Sequence, residues 1–64
     1  MEIKLFSAVE LIDGREVVIV EIYTDPPCYE CEDIQAIKEG RREDVWFSIS
    51  PDKIKRVVYV PKDV

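Results

Sequence analysis

A chain of 64 residues with a net charge of −5, an apolar fraction of 47% and no histidine has the composition of one small acidic domain. The acidity opposes general binding to a phosphate backbone, and the lack of histidine removes the commonest general base and metal ligand. The longest apolar run, residues 17–20, is far too short to span a bilayer.

The pattern at residues 2–12 is a half-buried strand. Ile3, Leu5, Ser7, Val9 and Leu11 point one way, and Lys4, Phe6, Ala8 and Glu10 the other. Asp13-Gly14 signals a two-residue hairpin turn, with residues 15–23 as the returning strand. That turn predicts a register in which Val9 faces Val18, Ser7 faces Val20 and Leu5 faces Ile22, with Phe6 opposite Glu21 and Ala8 opposite Ile19 on the other face. Pro26 and Pro27 end the strand, because neither can donate to a ladder.

A helix is predicted over residues 29–39. Cys31, Ile34 and Ile37 form its buried side, Glu30, Glu32 and Asp33 fall in its first turn, and Gly40 closes it. Residues 45–50 alternate as a third strand, and Ser50-Pro51 opens a 3₁₀ or type I turn. Residues 54–60 form a fourth strand ended by Pro61. The expected fold is α+β, in the order ββαββ: an antiparallel sheet of two hairpins with one short helix, as a single domain over residues 1–64.

The stretch Trp46-Phe47-Ser48-Ile49-Ser50-Pro51-Asp52-Lys53-Ile54 resembles the strand, proline-containing single turn and last strand of SH3-like small barrels. In those barrels the turn carries the chain around a barrel corner. The resemblance implies an alternative fold, a small SH3-like β-barrel with the helix inserted.

Both cysteines lie in Pro26-Pro27-Cys28-Tyr29-Glu30-Cys31. A strand, a proline-containing loop and Cys-x-x-Cys opening a helix resemble the active-site region of glutaredoxin- and thioredoxin-type proteins. That resemblance implies a nucleophilic thiolate at Cys28, lowered in pKa by a helix N-terminus, and a resolving thiol at Cys31. Asp25, Glu30, Glu32 and Asp33 oppose ionisation there, and the chain after Gly40 is too short for the rest of that fold. The pair also supplies half of a zinc site, which without another Cys or any His would need two chains. A third reading is structural: a local disulfide between Cys28 and Cys31, or Cys31 packed as a small core residue beneath the helix.

Trp46 and Tyr59 fall on the face opposite Phe47 and Ile49, where they either form a half-covered second layer or dock a partner. Arg41, Arg42, Lys53, Lys55 and Arg56 make the basic concentration, more in keeping with a solvated rim than with a nucleic-acid surface. Residues 1–34 carry nine acids against two bases, and residues 35–64 five acids against seven bases. The two halves either fold onto each other or leave one face for a charged partner. The start lacks the basic and apolar regions of a signal peptide, and the chain combines abundant charge with no Asn and one Gln, Gln35, a thermophile-like bias.

The leading expectation is therefore a cytoplasmic, non-enzymatic protein-interaction module without a cofactor. It would bind a protein partner or form a homodimer through Trp46, Tyr59, Lys55, Arg41 and Arg42, without membrane or nucleic-acid binding. The alternatives are a thiol–disulfide redox protein and a zinc-linked dimer, both using Cys28 and Cys31.

Overall fold

The computed structural model describes residues 3–41 and 45–62. Strands β1 (Ala8–Leu11), β2 (Glu16–Thr24) and β3 (Pro27–Asp33) precede helix α1 (Ile34–Lys38). Strand β4 (Trp46–Ile49), a 3₁₀ turn (Pro51–Lys53) and β5 (Ile54–Tyr59) follow. The strands form one antiparallel sheet in the order β4-β3-β2-β1-β5, so the fold is mixed α+β. No helix among the described residues is long and apolar enough to cross a membrane.

The first hairpin forms, but its register is one residue away from the expected one: Val9 pairs with Val17 and Ala8 with Val18. The Leu11 N–H donates to the Arg15 carbonyl at 2.8 Å and the Gly14 N–H to the Leu11 carbonyl at 2.9 Å, enclosing a loop of Ile12, Asp13 and Gly14. Gly14 has φ 95°, the left-handed residue that ends a three-residue hairpin loop. The slip is tolerated because residues 17–20 are apolar at every position, so either register buries two of them. A bulge at Val20, between the pairs Ile19–Cys31 and Glu21–Glu30, then exchanges the two faces of β2. Val17 and Ile19 are inside before it and Ile22 packs on the core after it.

The predicted helix over 29–39 is a strand in its first half, and the helix itself is five residues long. Tyr29, Cys31 and Asp33 alternate inward with Glu30 and Glu32 outward, which is strand periodicity. Asp33 is not in the first turn but caps it. Its Oδ1 accepts from the Gln35 N–H at 2.9 Å and the Ala36 N–H at 3.3 Å. Gly40, at φ 72°, closes the helix as expected, with its N–H on the Ile37 carbonyl and that of Arg41 on the Ala36 carbonyl. The buried helix residue is Ala36, while Ile37 is half exposed.

The last two strands do not pair as a hairpin. The 3₁₀ turn forms where expected, with Ser50 before it and proline at its first position. It delivers β5 to the far edge of the sheet, where it pairs with β1. One face of the sheet encloses the core of Val9, Leu11, Val17, Ile19, Cys31, Ile49 and Ile54, with Tyr29, Phe47 and Val57 packed against it. Ile22 also packs on this core, while Val18, Glu21, Glu30, Glu32 and Trp46 lie on the opposite, outer face.

Candidate interaction surface

The two cysteines do not form a site together. Cys31 pairs with Ile19 and is fully buried, whereas Cys28 pairs with Tyr23 on the outer face. Three residues along a strand reverse the side-chain direction and separate the Cα atoms by about 10 Å. A disulfide cannot close over that distance, so the bridge expected between Cys28 and Cys31 does not form and both thiols are free. Nor does Cys28 stand at a helix N-terminus, because α1 begins at Ile34. The expected thiolate-stabilising amides are six residues away along the chain. Burial pushes the Cys31 thiol up to about 11, opposed in part by Arg15 and aided by Asp33 and Glu30. Its S–H donates to the Phe47 carbonyl at 3.4 Å. Among the described residues, no group of three or more His, Cys, Asp or Glu is placed to hold a metal ion, and sulfurs on opposite faces of one strand cannot share an ion within one chain.

The outer face carries the exposed aromatics Tyr23, Trp46 and Tyr59, while Tyr29 and Phe47 pack on the core. Residues directly opposite in antiparallel strands share a face. The pairs Trp46–Glu32, Glu32–Val18, Val18–Ala8 and Ala8–Tyr59 therefore make one row that crosses every strand and begins and ends on an aromatic. Trp46 is 69% exposed and Tyr59 58%, both on edge strands. The indole N–H of Trp46 donates to a Glu32 carboxylate oxygen, which orients the ring despite its exposure. One row further, Glu21 pairs with Glu30 and Glu30 with Ser48. The Tyr23 hydroxyl donates to Glu30 Oε2 at 3.2 Å. That carboxylate, followed by its charge, raises the Tyr23 pKa.

Charge is unevenly distributed over this face. Glu21, Glu30 and Glu32 lie together on β2 and β3, and the rows they occupy contain no basic residue in register. A second like-charge pair, Glu10–Glu16, has a counter-ion: Arg56 Nε lies 2.6 Å from Glu10 Oε1. Hydrogen bonding to Arg56 is the main cause of the lowered Glu10 pKa, with Lys55 contributing its charge. The Arg56–Glu10 pair joins the two oppositely charged halves of the chain. Arg15–Asp13 at 2.8 Å and Arg41–Glu39 at 2.9 Å are local pairs.

The candidate residues thus separate into three places. Trp46 belongs to the acidic end of the outer face, while Tyr59, Lys55 and Arg56 belong to β5 at the other edge. Arg41 instead borders an open cleft of about 800 Å³ with Arg15, Gln35, Trp46 and Phe47. The Arg15 guanidinium lies 4.5 Å from the Phe47 ring centroid, a cation–π stack. Arg42 lies outside the described residues. Read as a helix, residues 29–33 do not bring Glu30 and Glu32 to this surface beside Glu21 and Tyr23; as strand β3 they do. The period-two spacing of Glu30 and Glu32 with Cys28 was the available signal. Comparison with known proteins gives no match to a family model, a curated protein or a solved structure.

Proposed function

We propose that the chain is a small non-enzymatic protein-interaction module that self-associates through side chains of the outer sheet face. The observation that carries this reading is the row from Trp46 to Tyr59, which places two exposed aromatics on one face, one of them held by a carboxylate. Trp and Tyr are the residue types that dominate binding energy when covered by a partner.

Side-chain docking is favoured over addition of a strand to an edge. The β1–β5 register skips Lys55 and Val58, so β5 is twice bulged, and β4 is only four residues long. Bulges, an edge lysine and a short strand all discourage edge pairing. The strand order, with a proline-containing 3₁₀ turn between the last two strands, supports the SH3-like small barrel over two separate hairpins.

Sedimentation velocity of the full chain from micromolar to millimolar tests the reading. It predicts concentration-dependent assembly that is lost in Trp46→Ala and Tyr59→Ala. Assembly unchanged in both variants would remove the outer face from the account.

A further inference from the structure

The outer surface is polarised, and the polarity selects how two copies meet. Its β2–β3–β4 end presents Glu21, Glu30 and Glu32 beside Tyr23 and Trp46. Its β5 margin presents Lys55 and Arg56 beside Tyr59, with Lys53 in the preceding turn and Lys62 just beyond the strand, all exposed. Each end pairs exposed aromatic surface with charge, and the charges are opposite. With Glu10, Glu16 and Asp52 set against Lys53, Lys55, Arg56 and Lys62, the β5 margin keeps an excess of one base.

Like charges directly opposite on a sheet are destabilising. Glu21 and Glu30 nevertheless face each other across β2 and β3, and Glu32 follows two residues along. An isologous contact made by the acidic end would set these carboxylates against their own copies. One made by the β5 margin would set Lys53, Lys55 and Arg56 against theirs. A contact between the acidic end of one copy and the β5 margin of the other brings opposite charges together and covers both aromatics.

We infer that copies of this chain associate head to tail, the acidic Glu21/Glu30/Glu32 end of one against the basic Lys53/Lys55/Arg56 margin of the next, with Trp46 and Tyr59 buried in the same contact. Such a contact uses different patches on the two partners: made once per pair it propagates into a ring or a filament, and made twice about a two-fold axis it closes a dimer. Charge complementarity here acts on specificity and orientation, while the aromatics supply the apolar contact. The inference rests on the self-association proposed above and names its geometry.

Charge exchange in the full chain tests it. Glu30→Lys with Glu32→Lys makes both ends basic, and Lys53→Glu with Lys55→Glu makes both ends acidic. In sedimentation velocity each double variant alone is expected to associate at least about ten-fold more weakly than the unmodified chain. An equimolar mixture of the two is expected to recover assembly, because basic and acidic ends then alternate between copies. Recovery also shows that both variants are folded; circular dichroism checks this independently. If the unmodified chain assembles and the double variants assemble equally well alone, or if folded variants fail to recover on mixing, the head-to-tail contact is wrong and self-association stands. If the unmodified chain remains monomeric to millimolar concentration, self-association and its geometry both fall.

Discussion

Cys28 faces Tyr23 on the outside of the sheet while Cys31, three residues later on the same strand, faces Ile19 in the core. A spacing that on a helix N-terminus would bring two sulfurs together keeps them apart on a strand. The chemistry of the Cys-x-x-Cys pair is therefore decided by secondary structure, and here it is the chemistry of two independent thiols.

Those thiols should react separately. In native protein an aromatic disulfide reagent is expected to modify the half-buried Cys28 first, with Cys31 protected until denaturant is added. Air oxidation should leave no intrachain bridge detectable by mass. Two equivalents released at one fast rate, or loss of two protons from the monomer mass, would contradict the placement of Cys31.

Cys31 also gives the fold a pH dependence with a definite sign. Its thiol is raised from 9.0 to about 11, so the native state holds a proton that the unfolded state releases between those values. Stability is fully present below the unfolded pKa and declines as pH rises from 9.0 to about 11. Urea denaturation across this range, compared with Cys31→Ala, should show a steeper fall in the native chain than in the variant, in which the raised Tyr23 still contributes.

The Glu21–Glu30 pair costs stability in the isolated chain. Glu21→Gln removes the repulsion without touching the Tyr23–Glu30 hydrogen bond and is expected to stabilise by about 0.2–1 kcal/mol. The same substitution should weaken assembly. A variant more stable to urea and less associated in sedimentation would mark a residue retained for contact; a loss of stability would show that the pair is not repulsive.

Helix α1 has too few residues to persist alone and depends on its caps. Asp33→Ala removes the acceptor for the Gln35 and Ala36 amides and is expected to cost about 1 kcal/mol, within the range for loss of an N-cap. Hydrogen exchange of those two amides should accelerate more than that of the β1–β2 ladder. Equal acceleration everywhere would place the cost in global stability.

Much of the fold was legible where a residue type forces one conformation. Gly40 closes the helix through a left-handed φ, and Pro51 opens the 3₁₀ turn. The alternation expected over residues 2–12 held only at Val9, Glu10 and Leu11: β1 begins at Ala8, because Leu5 and Phe6 form a turn with Phe6 at φ 67° that leaves both exposed. What failed was register and element type in segments compatible with two patterns. Residues 17–20 are apolar throughout and fit either hairpin register, and the choice fell to a three-residue loop ending at Gly14 with a compensating bulge at Val20. Residues 28–33 fit a helix by their acids and a strand by their alternation; pairing with β2 on one side and β4 on the other decided for the strand. Trp46 and Tyr59 were assignable to one face in advance, whereas Glu30 and Glu32 could join them only after β3 was recognised.

Burial of Trp46 on association is the central claim, and Trp46 is the chain's single tryptophan, so its fluorescence is unambiguous. Acrylamide quenching should be strong in dilute protein, where the ring is 69% exposed. It should fall, with a blue shift of the emission, as concentration rises to millimolar. Quenching and emission that stay constant over that range would contradict the account.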